Sequence, residues 1–209
     1  MQNLRQLLRR APFYGAYKTL GHYPDYWYWQ LRGRPARAPH LVKQRTVLEY
    51  ASRYELKILI ETGTYYGEMV AAMKEHFDYV YSIEADPELA ERAVKRFARD
   101  ANVWILKGDS RQALPELLPS VYQAALFWLD AGYYGWAGIQ GDAHRLGDEI
   151  EAILRHRVKG HVILMDDARC LDGRTGPLTV AEIRSRVESA FPGHSVEVRY
   201  DILRIAPRS

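Results

Sequence analysis

Glu61-Thr62-Gly63-Thr64-Tyr65-Tyr66-Gly67 follows the apolar run Leu56 to Ile60 and leads into a stretch of helical pattern, Gly67 to Phe77. A strand that breaks at a glycine and restarts as a helix opens a βαβ unit. Gly63 permits a tight turn and close approach of backbone to a ligand. Gly67 stands where the helix begins. Glu84 comes 21 residues after Gly63, at the end of the next apolar run, Tyr79 to Ile83. A carboxylate there is placed to accept hydrogen bonds from ribose hydroxyls.

Outward from this stretch the pattern keeps alternating. Asp86 caps a helix with Pro87 at its first position, where a missing N–H is harmless. Leu89, Ala93, Val94 and Phe97 give that helix one apolar face. Val103 to Leu106 is a third strand, and Ser110 is expected to cap the next helix. Ala124 to Leu129 is a fourth strand, followed by a helix near Asp148 to His156. Val162 to Met165 is a fifth. Thr179 and Glu182 form a capping box for a helix to Phe191. Val196 to Ile205 reads as one or two strands with a turn near Tyr200 and Asp201. Alternation of this kind predicts an α/β fold: a Rossmann-like, doubly wound, mostly parallel sheet with helices on both faces. Ligands in such sheets bind at the carboxyl ends of the strands.

Those ends are acidic. Strand two ends at Glu84, strand three at Gly108-Asp109-Ser110, strand four at Asp130 and strand five at Asp166-Asp167. A cluster of carboxylates calls for a cationic or hydroxyl-rich ligand. A dinucleotide suits these residues poorly. Tyr65 stands where the fingerprint has its middle glycine, and Glu61 would repel a pyrophosphate. A ligand with a ribose and no phosphates fits better.

The strings IETGTYYG (60–67), YSIEAD (81–86), KGDS (107–110), FWLDA (127–131) and ILMDDAR (163–169) resemble the class I S-adenosylmethionine-dependent methyltransferases. The resemblance runs from about Lys43 to Ile205. It implies seven strands with the last antiparallel. It implies that Glu61, Gly63, Thr64, Tyr65, Tyr66 and Gly67 underlie the methionine part of the cofactor. Glu84, with Ala85 beside it, grips the ribose; Asp109 lies by the adenine, with Ser110 near. The segment PHLVKQ (39–44) and the DDAR segment are similar to a bacterial small-molecule subgroup. That subgroup has Asp-Gly-His-Tyr-Ser-Gly after strand four. Here Asp130-Ala131-Gly132-Tyr133-Tyr134-Gly135-Trp136 departs from it and lacks the histidine.

Methyl transfer needs alignment of acceptor and sulfonium, and often a base. Asp130, Tyr133, Tyr134 and His144 are the candidate catalytic residues. The rings of Tyr65, Tyr66, Tyr133 and Tyr134 are suited to face a sulfonium, or simply to pack on the loop. Asp130, Asp166 and Asp167 offer hard oxygens to Mg²⁺, as the resemblance to catechol-type enzymes implies. Alternatively, Asp130 holds the cofactor's amine, while Asp166 and Asp167 cap a loop or pair with Arg169. Lys43 is placed to reach the cofactor carboxylate or to stand solvated on a helix. The remaining histidines read as surface or satisfied residues.

Charge is unevenly spread. Residues 1–46 hold nine Lys or Arg against Asp25 alone, and the net charge of the whole chain is +3. Phe13, Tyr14, Tyr17, Tyr23, Tyr26, Trp27, Tyr28 and Trp29 crowd the same segment. We read 1–46 as a basic, aromatic extension, a lid or a homodimer arm, and 47–209 as the Rossmann-like domain. A nucleic-acid contact or an amphipathic membrane segment is the alternative for such a composition. Against a nucleic-acid methyltransferase, no Asn-Pro-Pro-Tyr-like motif follows strand four. A single cysteine, Cys170, fits a reducing compartment, and no apolar run approaches a transmembrane length. The expected function is cytoplasmic S-adenosylmethionine-dependent methylation of a small molecule, at oxygen before nitrogen or carbon. The alternatives are other chemistry on the same cofactor, such as intramolecular alkylation, or non-catalytic binding of it.

Overall fold

The computed structural model describes residues 24–34, 37–130, 142–174 and 178–208, and the backbone alone for 142–145. Seven strands form one sheet in the order β3-β2-β1-β4-β5-β7-β6. They are β1 (Ile58–Thr62), β2 (Tyr79–Glu84), β3 (Val103–Lys107), β4 (Leu126–Leu129), β5 (Val162–Met165), β6 (His194–Arg199) and β7 (Ile202–Pro207). β1 to β5 run parallel; β7 lies antiparallel to both β5 and β6. The order reverses between β1 and β4, which opens a crevice at their carboxyl ends.

The strands alternate their side chains between two apolar layers, as the pleat requires. Ile58, Ile60, Phe127, Leu129, Ile163, Met165, Leu203 and Ile205 join one layer. Leu59, Leu126, Trp128, Val162, Leu164, Ile202 and Ala206 join the other. Among the described residues, seven α-helices pack around the sheet. They are α1 (residues 24–31), α2 (His40–Arg53), α3 (Glu68–Met73), α4 (Pro87–Arg96), α5 (Ser110–Leu117), α6 (Asp142–Arg155) and α7 (Val180–Ala190). α5, α6 and α7 bury Leu114, Ile150, Ile153, Ile183 and Val187 in the first layer. α2, α3 and α4 bury Val47, Val70 and Ala93 in the second.

The local signals act as expected at several ends. Asp86 accepts from the backbone N–H of Glu88 and Leu89, with Pro87 at the first position. Thr179 accepts from Glu182 N at 3.1 Å. β5 spans the expected residues, and Tyr200 and Asp201 make the final turn with φ of 58° and 63°. Others differ. β1 runs on through Glu61 and Thr62 because Ser82 and Glu149 satisfy their side chains inside the sheet. α3 ends at Met73, short of Phe77. α5 is capped by Asp109, whose side chain accepts from Arg111 N, while Ser110 is its first residue. α6 starts at Asp142, well before Asp148, with Gly147 inside it.

α1 packs through Trp29 on the turn between β6 and β7. That ring is 5% exposed and meets Tyr200 edge-on at 5.1 Å. Ala38 and Val42 complete this small cluster.

Candidate functional site

The β1 turn supplies the floor of the crevice. Gly63 N donates to Ile83 O at 2.9 Å and Gly67 N to Thr64 O at 2.7 Å. Gly63, Tyr65 and Gly67 all have positive φ (90°, 50° and 71°). A Cβ on Gly67 would sit 2.6 Å from the Phe97 ring, so only glycine lets the helix start this close to α4. Tyr65 is exposed, with its ring 4.2 Å from that of Tyr66. Arg92 lies over the Tyr66 ring at 5.0 Å, and Arg96 donates to Tyr66 O.

Three carboxylates line the crevice from β1, β2 and β4. Glu84 is 7% exposed and accepts from Tyr65 N at 2.6 Å and Asp86 N at 2.9 Å. It thereby ties the loop after β1 to the end of β2. Ala85 beside it is exposed. Glu61 is buried. Thr64 Oγ1 lies 2.6 Å from Ser82 Oγ, and Ser82 in turn donates to Glu61. Burial pushes the Glu61 carboxyl up to about 8; the Ser82 hydroxyl opposes this, and Asp130 and Glu84 add to it. Burial also pushes Asp130 up to about 7, helped by Asp166 and Asp167 and opposed by Lys43. A pocket that holds carboxyls above their ordinary range gains from a ligand carrying positive charge.

At the β5 end, Lys43 of α2 forms an ion pair with Asp166. Burial pulls the lysine down, but Asp166, Asp130 and Asp167 together push it above its ordinary value. Asp166 also accepts from Asp167 N at 2.9 Å. Asp167, at φ 55°, pairs with Arg169 at 2.7 Å. Arg169 pairs also with Asp201, which accepts from Arg169 N at 2.8 Å and Arg37 N at 3.2 Å.

These contacts correct the metal reading of Asp130, Asp166 and Asp167. Two of the three acids are already neutralised by side-chain cations. Among the described residues, no cluster of three or more His, Cys, Asp or Glu could hold a metal. Lys43 is drawn to Asp166, a partner the sequence reading did not foresee. Asp109 is occupied at the start of α5, where it pairs with Arg111 at 2.7 Å. Ser110 is buried and donates to Glu149 of α6.

Glu149 was missed. It is 1% exposed and also accepts from Thr62 Oγ1 at 3.3 Å, joining β1, α5 and α6 under the crevice. The signal was present: Glu149 shares the apolar face of Leu146, Ile150 and Ile153, where an acid must have buried partners. Tyr133 and Tyr134 lie outside the described residues. So does the side chain of His144, whose backbone belongs to α6.

No protein-family model matches the chain. A protein-L-isoaspartate O-methyltransferase of Hyperthermus butylicus is 33% identical over 100 residues, which are 42% of this chain and 41% of that relative. The chain thus spans less than half the length of this curated relative. Solved structures align far more completely. An O-methyltransferase from Bacillus cereus, in complex with S-adenosylhomocysteine, has a TM-score of 0.58 at 15% identity, covering 98% of this chain and 97% of that one. An S-adenosylhomocysteine-bound methyltransferase of Podospora anserina gives 0.54 at 14%, covering 88% and 87%. The N-methyltransferase NodS of Bradyrhizobium japonicum gives 0.54 at 14%, covering 80% and 95%. The fold is therefore that of the class I S-adenosylmethionine-dependent methyltransferases, as the sequence resemblance implied.

Proposed function

We propose, from that fold, that the protein is an S-adenosylmethionine-dependent methyltransferase whose acceptor is a small molecule methylated at oxygen. The observation that carries the reading is the crevice between β1 and β4, with Glu61, Glu84 and Asp130 around a glycine-bounded loop. These residues fit the cofactor. Glu84 holds the ribose, as its position at the β2 end favours. Glu61 and the loop Gly63, Thr64, Tyr65, Tyr66, Gly67 take the amino-acid part, and its ammonium compensates the buried Glu61. Asp109 and Ser110 border the base. When bound, the cofactor supplies an electrophilic methyl group on a sulfonium.

The chain's own residues then align the acceptor and manage its proton. Asp130 is the candidate to accept that proton: it follows β4 at the crevice, and burial pushes its carboxyl up from its ordinary range toward that of a general base. Tyr133, Tyr134 and His144 are further candidates around the acceptor. Lys43 and Arg169 already compensate Asp166 and Asp167, so no step is assigned to a divalent ion. Oxygen is taken before nitrogen because the relative of 33% identity and the Bacillus cereus protein are both O-methyltransferases.

Calorimetric titration with S-adenosylhomocysteine tests the reading. Binding is expected, and Glu84→Ala should weaken it by roughly 1.5–3 kcal/mol, the scale of hydrogen bonds to a charged group. With labelled S-adenosylmethionine and a panel of hydroxyl and amine acceptors, methyl ethers and S-adenosylhomocysteine are the expected products. Methylthioadenosine, methylated amines only, or no cofactor binding at millimolar concentration would overturn the assignment.

A further inference from the structure

α1 buries one face and leaves the other bare. Trp29 packs inward at 5% exposure, whereas Trp27, Tyr28 and Leu31 are 63%, 62% and 85% exposed. Three of the large exposed apolar side chains among the described residues thus share about one turn of one helix. Single exposed apolar residues are ordinary, but a contiguous group marks a surface that something covers.

Guanidinium groups flank α1, Arg32 on the exposed face and Arg34 and Arg45 at the edge of the Trp29 cluster. Arg32 lies over the Tyr28 ring at 5.5 Å and donates to its hydroxyl at 3.1 Å. Arg34 donates to the Tyr200 hydroxyl at 3.1 Å, and Arg45 sits over the Tyr26 ring at 4.9 Å. A guanidinium resting on a ring keeps its full charge for an outside anion. Arg199 also reaches Tyr200, at 3.0 Å, but Glu49 and Glu197 lie near it. Arg32, Arg34 and Arg45 therefore carry the local charge. The wider asymmetry has the same sense: residues 1–46 hold nine basic residues and one acid, against 20 basic and 25 acidic residues in the remainder.

We propose that α1 seats the protein on an anionic lipid bilayer, with Trp27, Tyr28 and Leu31 in the headgroup region and Arg32, Arg34 and Arg45 on lipid phosphates. Tryptophan and tyrosine prefer that region because one end of the ring is apolar and the other wet. Juxtaposed arginines add attraction to the negative surface potential of the bilayer. Apolar side chains with flanking cations are the two signals an interfacial helix combines. No described helix is long and apolar enough to cross a membrane, so the association is peripheral. α1 is also tied to the candidate site. Tyr200, on which Trp29 packs, adjoins Asp201, and Asp201 holds Arg169 beside Asp167.

Co-sedimentation of the full chain with extruded vesicles tests this. The wild type should pellet with phosphatidylcholine–phosphatidylglycerol vesicles at low salt, not with phosphatidylcholine alone, and should be released by high salt. Trp27→Ser with Leu31→Ser should lower the partition coefficient by about tenfold or more, with an unchanged melting temperature, since both side chains face solvent. Arg32→Gln with Arg34→Gln is the second variant, and it should remove most of the preference for the anionic vesicles. Absence of pelleting, equal pelleting on both vesicle types, or wild-type partition by both variants overturns the proposal. Two further results also overturn it. One is a wild-type dimer that the Trp27–Leu31 variant converts to monomer, since the face would then be covered by a second copy. The other is an RNA oligonucleotide that binds more tightly than the vesicles and is lost with the same substitutions.

Discussion

Lys43, in the first turn of α2, forms an ion pair with Asp166 at the carboxyl end of β5, 123 positions further along the chain. The carboxylate is 4% exposed and the lysine 20%. An acid this buried keeps its charge only because the ammonium sits on it. The pair fixes α2 to the sheet at the candidate acceptor end. It also decides the electrostatics around Asp130.

Lys43→Met should therefore destabilise the fold by about 2 kcal/mol at pH 8, because it strands the Asp166 charge. At pH 5 the loss should shrink, since Asp166 can then take up a proton. Lys43→Met with Asp166→Asn should recover most of the stability. Urea unfolding of the three proteins at both pH values checks this; a double variant no better than the single would count against it.

Chelation should have no effect. With Lys43 on Asp166 and Arg169 on Asp167, removing divalent ions costs the site nothing. EDTA should leave S-adenosylhomocysteine affinity and methyl transfer unchanged, and a calorimetric Mg²⁺ titration should show no binding at millimolar concentration. Activity that vanishes in EDTA and returns with Mg²⁺ would restore the metal.

Gly67 and Gly33 have similar φ, 71° and 76°, but different surroundings. A Cβ on Gly33 meets nothing within 4 Å, whereas one on Gly67 meets Phe97 at 2.6 Å. Gly33→Ala should cost about 1 kcal/mol from backbone strain alone. Gly67→Ala should cost roughly 2–4 kcal/mol, because the ring cannot yield without opening the α3–α4 packing. Thermal unfolding of the two variants separates the contributions.

Cofactor binding should release protons near neutral pH. In the folded chain Glu61 titrates at about 8, against 4.5 as its ordinary value. Between those values the folded state holds a proton that the unfolded state has lost, so this group lowers stability as pH rises through that window. An ammonium beside Glu61 would expel that proton. Titrations with S-adenosylhomocysteine at pH 7 in phosphate and in Tris should differ in apparent enthalpy by the buffer ionisation of roughly one proton. Glu61→Gln should abolish the difference.

His161 should stay neutral well into the acid range. It is fully buried, accepts from Ala125 N at 3.0 Å and lies 2.8 Å from His156 Nδ1. Burial drives it down to about 4, with the His156 charge adding to the effect. The unfolded chain protonates this ring near 6.5 and the folded chain only near 4. Its contribution is thus complete above 6.5 and is lost as pH falls through that window, on the order of 3 kcal/mol in full. Ring C–H resonances of His161 that move between pH 7 and 6 would contradict this.

The sequence by itself determined the alternation of elements, the five parallel strands, the caps Asp86 and Thr179, and the turn at Tyr200 and Asp201. Each rests on neighbours within a few residues: a period of two in a strand, a side chain reaching an N–H two or three positions on, a glycine with positive φ. It also placed Glu84 and Asp130 at strand ends, because a parallel sheet brings those ends to one edge whatever else the chain does; Glu61 proved to lie inside β1. Tertiary structure alone decided what each acid meets there. Lys43 on Asp166, Arg169 between Asp167 and Asp201, and Glu149 beneath Thr62 and Ser110 join segments far apart in the chain. No local pattern encodes such a pairing. It arises when an acid loses water on burial and must be matched by whichever cation or hydroxyl the packed helices bring within reach. Of three acids that suit a metal in sequence, two thus become acids compensated by lysine and arginine in the fold.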